Sequence, residues 1–131
     1  MLEEVVLPGG MRVEIHLDAD ATDGQLCVLV DHPPPGWALP PHRHANEAET
    51  IHILEGRFDL VVDGERRGMG PGDTAHVPRG VVHSGSNIGD VAGRRLIVFT
   101  PGGIEGWFRE VGATPESALE AALRYGWEFV S

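Results

Sequence analysis

The sequence is poor in cysteine: Cys27 is the only one in 131 residues. No disulfide can form within one chain, which fits a reducing compartment. Cys27 sits in the apolar run Leu26-Cys27-Val28-Leu29-Val30 and is expected to be a small core residue. Positive charge is scarce too, with 10 Lys and Arg against 20 Asp and Glu, a formal net charge of −10. Phosphate recognition needs clustered basic side chains, and Arg66-Arg67 and Arg94-Arg95 are only isolated pairs, so no nucleic-acid partner is expected. No apolar run approaches the roughly 20 residues of a membrane span. The acidic opening Met1-Leu2-Glu3-Glu4 is followed by no apolar stretch, so no secretory signal is expected either. These absences point to a cytoplasmic protein without a membrane partner.

What is present is turn chemistry and apolar residues. Hydrophobic residues make up 41% of the chain, and 18 Gly and 10 Pro are spread along it. That composition suits one domain over 1–131 with many short strands. Arg12–Leu17 alternates apolar and polar residues, and 26–30 is a continuous apolar run; both read as strands. Further strands are expected at 50–54, 57–62, Glu65–Met69, Thr74–Val77, 81–86 and 95–100. They are separated by Glu55-Gly56, Asp63-Gly64, the stretch 70–73 and Pro78-Arg79-Gly80, which are turn signals. Only the C-terminal end reads as helical, at about 115–125. Thr114 is placed as N-cap, Pro115 at the first helical position and Glu116 at the positive end. Ala118, Leu119, Ala122 and Leu123 would form the apolar face, with Gly126 as the stop. Residues 127–130 can add a final strand that covers a barrel end or a dimer contact. Many strands and one late helix argue for an all-β barrel or sandwich.

The histidines carry the chemistry. On an extended segment, residues two apart share a face, so His42 and His44 can present both imidazoles to one point. The stretch Ala45-Asn46-Glu47-Ala48 is long enough to turn the chain back, which lets Glu49 face them from the next strand. Two imidazoles and a carboxylate form a common ligand set for a divalent ion. Glu47 shares parity with Glu49 and is the rival carboxylate. His83 follows the turn at Pro78-Arg79-Gly80; its local sequence alone does not distinguish a ligand from a packed histidine.

Two longer patterns contain these residues. The first is Gly36, five residues, His42, one residue, His44, four residues, Glu49, six residues, Gly56. The second is Gly72, five residues, Pro78, one residue, Gly80, two residues, His83, three residues, Asn87. Over 36–56 and 72–87 the chain resembles the two motifs of the cupins, with every fixed position filled. The run 100–108 with Arg109-Glu110 is similar to small stand-alone cupins of the quercetin-dioxygenase-like group.

The resemblance implies a double-stranded β-helix, or jelly-roll barrel, with the short C-terminal helix appended. It places a single divalent metal ion (Fe, Mn, Ni, Zn or Cu) on His42, His44, Glu49 and His83. Its spacing and the turn position of Glu47 both favour Glu49 as the carboxylate. Three neutral imidazoles and one carboxylate on a six-coordinate ion leave two positions for water, oxygen or a chelating substrate. A closed structural zinc site is disfavoured, since the one Cys lies outside both motifs. The implied partner is a small organic molecule and the implied assembly a homodimer. The implied activity is that of a metal-dependent dioxygenase in which Glu49 can also accept a substrate proton. A non-enzymatic small-molecule or carbohydrate binder, or an isomerase or lyase, is the alternative on the same scaffold.

Other candidates read as ordinary residues. His52 lies three residues beyond Glu49, so a regular strand aims it at the opposite face unless a bulge shifts the phase. His16, His32 and His76 read as structural or surface histidines. Arg43, between two ligands, should point away from the metal. Trp37 and Phe58 read as core or rim.

Overall fold

Eleven short strands and two helices make up the chain in the computed structural model, which describes residues 2–130. In chain order the strands are β1 (Glu3–Val6), β2 (Arg12–Leu17), β3 (Cys27–His32), β4 (Ala38–His44), β5 (Ala48–Glu55), β6 (Phe58–Val62), β7 (Glu65–Met69), β8 (Thr74–Val77), β9 (His83–Asn87), β10 (Arg94–Thr100) and, after the helices, β11 (Trp127–Phe129). A six-stranded sheet runs β1-β2-β3-β10-β5-β8 and a five-stranded sheet runs β11-β4-β9-β6-β7. The strand pairs are antiparallel. This is the double-stranded β-helix expected from the sequence.

Period-two alternation builds the interior. On β3 the inward residues are Cys27, Leu29 and Asp31; on β10 they are Arg95, Ile97 and Phe99; on β5 they are Glu49, Ile51 and Ile53. Their apolar members join two core clusters. One gathers around Val13, Leu29, Ile97 and Phe99, the other around Ile53, Phe58, Leu60 and Val77, and Trp37 packs against both. Cys27 is fully buried in the first. Burial, then the nearby Glu105 carboxyl, pushes its thiol up to about 12, so it is an inert core residue.

The C-terminal segment differs from its sequence reading. Helix α1 (Glu105–Ala113) was not expected; it buries Phe108 and Val111, with Ile104 before it. The spacing Ile104, Phe108, Val111 is helical, but Gly106 and Gly112 lower the propensity and disguise it. Both glycines serve close approach: a Cβ on Gly106 would lie 2.5 Å from the Tyr125 hydroxyl, and one on Gly112 would lie 3.0 Å from Val5 Cβ. The expected helix at 115–125 is a 3-10 turn (Pro115–Ser117) followed by α2 (Ala118–Arg124), and Thr114 makes no side-chain cap bond. The apolar face is rotated as well. Ala121 and Ala122 are buried, while Leu119 and Leu123 are 76% and 72% exposed. Small side chains let α2 lie close on the fold, and the leucines are left on the outer side. Among the described residues, no helix is long and apolar enough to cross a membrane.

Candidate metal centre

The geometry of the site begins with two prolines. Leu39 on β4 pairs with Gly85, whereas His42 pairs with His83, so the register slips by one between them. Pro40 and Pro41 occupy the slip. Proline has no N–H to offer a ladder, and a bulge is where a strand tolerates it. The extra residue reverses the inward phase, so Leu39 and His42, three apart, both line the interior. Beyond the bulge the strand is regular and His44 follows His42 inward. The Pro40 carbonyl accepts a hydrogen bond from His42 Nδ1 at 2.8 Å. A carbonyl can only accept, so Nδ1 carries the proton and Nε2 is the free nitrogen.

His83 is anchored in the same way. It opens β9, and its Nδ1 donates to the Val81 carbonyl at 3.1 Å. All three imidazoles are buried, with His42, His44 and His83 at 1%, 3% and 4% exposure. One ring nitrogen from each lies within 4.8 Å of the others. Burial, followed by the neighbouring His83, pushes His42 down to about 4, so this imidazole is neutral at physiological pH and free to ligate.

Glu49 comes from the opposite sheet. Its Oε1 lies 3.1 Å from His83 Nε2 and 3.4 Å from His44 Nε2. Burial alone would raise its carboxyl; hydrogen bonds from His44 and His83 outweigh that and hold it below the usual carboxylate range. The donor set therefore fits a divalent cation: three buried imidazoles converge beside an ionised carboxylate, and an ion would take the place of the protons that His44 and His83 direct at Glu49. The structure thus brings His42, His44, His83 and Glu49 together, with the histidines forming the tighter group.

Glu47 lies in the β4–β5 turn, yet it is buried, and its Oε1 has no partner. Burial, then Glu105 and Glu49, pushes it up to about 7. It is not a member of the three-histidine group. His52 lies on the outer side of β5 and bonds the Thr74 hydroxyl at 2.7 Å; His76 bonds Thr50 at 3.0 Å on the same exposed surface. Arg43 points outward to Glu128 on β11, 2.7 Å away.

Two features of the site were not found in the sequence. The first is Trp127, which pairs with His44 across β11–β4 and stacks on the His42 ring at 5.2 Å and 24°. It also meets His44 edge-on at 4.6 Å. The second lies in the adjoining cavity of about 90 Å³, whose apolar walls include Leu39, Ile97, Phe99 and Trp107. Into it Arg95 and Asp31 bring a buried ion pair, Nε to Oδ1 at 2.9 Å and Nη2 to Oδ2 at 2.7 Å. Arg94-Arg95 reads as a basic pair in the sequence, but only Arg94 faces out. The inward phase of Ile97 and Phe99 was the signal that Arg95 turns in.

A jelly-roll barrel with a buried three-histidine centre at a small apolar cavity defines the class of protein. Residues 29–106 match the family model described as "Cupin domain", more than half of the chain. The chain belongs to the cupin family. Over 91 residues it is 36% identical to quercetin 2,3-dioxygenase of Bacillus subtilis (strain 168), covering 70% of this chain and 27% of that one. The chain spans half or less of the first curated relatives it matches, 27%, 50% and 39% of their lengths. Among solved structures it resembles KdgF from Halomonas sp., with a TM-score of 0.71 at 18% identity over 79% of this chain and 90% of that one. It also resembles Bacillus subtilis oxalate decarboxylase, a protein with Mn(II) centres, with a TM-score of 0.66 at 25% identity over 77% of this chain and 28% of that one.

Proposed function

We propose that the protein is a metal-dependent enzyme acting on a small organic molecule, with dioxygenase chemistry as the reading that fits best. His42, His44 and His83 are the ligands in this reading, and Glu49 is the fourth ligand or the acceptor of a substrate proton. The observation that carries it is the convergence of three buried ring nitrogens on the mouth of an apolar cavity. A bound divalent ion would supply Lewis-acid activation and, for a redox-active metal, oxygen chemistry. The chain's own residues do the rest. Backbone carbonyls of Pro40 and Val81 fix two imidazole tautomers. Trp127 and Phe99 exclude water from the histidines. Glu49 sits where it can exchange a proton with a ligand entering from the cavity. The segment shared with quercetin 2,3-dioxygenase supports the oxidative reading, although that relative is much longer.

The test joins composition to turnover. Protein purified without chelator should hold about one divalent ion per chain, and His83→Ala should lose most of it. Oxygen uptake is then followed with catechols, diketones, flavonols and small organic acids. Loss of oxygen with any of them supports the enzyme. If none is consumed while the same compounds raise the melting temperature, the protein is a binder and the enzymatic reading fails.

A further inference from the structure

The buried ion pair in the cavity wall has no part in holding a metal. Replacing such a pair by apolar residues of similar volume is often neutral or stabilising, so stability alone gives it no reason to line a ligand cavity. Its donor inventory is incomplete. A guanidinium has five N–H groups, and Asp31 takes one from Nε and one from Nη2. Arg95 Nη1 has no hydrogen-bond partner among the described residues. It is not one of the sealed, unpartnered atoms either, which are His44 Nδ1, Glu47 Oε1 and Trp127 Nε1. Nη1 therefore meets open space, although the residue is only 7% exposed, and the space that Arg95 lines is the cavity. Aromatic rings pack against the guanidinium: its carbon lies 4.7 Å from the Trp37 ring centre and 5.4 Å from that of Phe58. What remains is the Nη1 edge, its direction fixed by Asp31, on a cavity whose other polar lining groups are Asp31, Ser84 and the residues of the metal centre.

The size of the cavity narrows the ligand. A dry cavity of about 150 Å³ holds one benzene, and this one measures about 90 Å³. The enclosed part of a ligand is therefore a small fragment. We propose that Arg95 is the specificity-determining residue of this site and that the substrate is a small organic acid. One carboxylate or enolate oxygen rests on the Nη1 edge, while a second oxygen function faces His42, His44 and His83. The inference deepens the metal-dependent reading above and rests on it for the second contact only. Asp31 is the positioning residue that keeps the fork from turning away.

The probe is glycolate, compared with its neutral analogue glycolamide, by calorimetric titration of metal-loaded and metal-free protein. Arg95→Gln alone leaves the Asp31 charge buried and unpaired, so the variant used is Arg95→Gln with Asp31→Asn, which keeps the shape and removes both charges. The preference for glycolate over glycolamide should fall by about ten- to a hundredfold, the worth of one charged hydrogen bond. Arg95→Lys keeps the charge opposite Asp31 but loses the fork, and should lower the same preference by a smaller factor. It serves as the test if the double variant does not fold. An unchanged preference in a folded variant overturns the proposal, as does wild-type protein that binds metal but shows no preference for the acid. If the protein takes up no metal yet metal-free wild type prefers glycolate in an Arg95-dependent way, the metal-dependent reading fails and this inference stands.

Discussion

The barrel carries two clusters of the same residue types, one inside and one outside. Inside, His83 and His44 approach Glu49 at 3.1 and 3.4 Å, with His42 beside them. Outside, on the outer face of the six-stranded sheet, His16 and His32 approach Glu14 at 2.9 and 2.6 Å. By distance to the carboxylate the outer cluster is the tighter. Yet each outer histidine meets a different oxygen of Glu14, so the two rings bracket the carboxylate and do not converge. The inner rings converge, and among the described residues only they form a group able to hold a metal. The difference lies in three things that composition does not carry. A bulge sets the phase of β4, backbone carbonyls orient the His42 and His83 rings, and burial keeps the His42 imidazole neutral.

The bulge is the point at which the comparison breaks most completely. Deleting Pro41 removes the extra residue, so with the Leu39–Gly85 pairing kept the pair His42 and His44 must turn to the other face. Metal content, measured by elemental analysis, should fall from about one ion per chain to near zero, while the far-ultraviolet circular dichroism keeps its β character. Pro41→Ala keeps the residue count and should keep the metal. A deletion variant that still binds one ion would mean that the bulge does not set the phase.

This bulge also marks how far the sequence could be read. The spacing of His42 and His44 announces a shared face whatever precedes them, so the pair was legible. The inward turn of Leu39 was not, because a regular strand would place it opposite His42. His83 was legible only through the longer pattern from Gly72 to Asn87, since a lone strand histidine carries no sign of its neighbours. The strands that alternate cleanly, such as Arg12–Leu17, were found within a residue or two of their ends. Helix α1 was missed because its glycines answer to Tyr125 and Val5, residues distant in sequence. The leucines of α2 misled for a related reason. Helical periodicity identifies a stripe, but which stripe is buried depends on how closely the helix must approach its support, and here the alanines fit and the leucines do not.

Burial is the third difference, and Trp127 tests it. The residue is 6% exposed and covers His42 and His44. Trp127→Ala should cost about 3–5 kcal/mol of unfolding free energy, as large-to-small changes of buried aromatic residues do, read from urea unfolding of metal-free protein. Metal affinity should fall by about tenfold, because the rings lose part of their orienting shell. His16→Ala, the matching change outside, should cost under about 1 kcal/mol, as surface substitutions do. Equal costs at the two positions would remove burial from the explanation.

The smallest effect separates the clusters by charge. Hydrogen bonds from His32 and then His16 hold the Glu14 carboxyl below its usual range. A carboxyl depressed in the folded state contributes stability above its unfolded value, and that contribution disappears as pH falls through the folded value. Glu14→Gln should therefore lower unfolding free energy at neutral pH by no more than about 1 kcal/mol, the range of partly exposed pairs. The gap to wild type should close in acid, below about pH 4. Melting temperatures of the two proteins across that range measure it. Metal content should be the same in both, since the outer histidines bracket a carboxylate where the inner ones surround a point. A second ion lost on Glu14→Gln would show that bracketing is enough, and the contrast between the two clusters would then rest on burial alone.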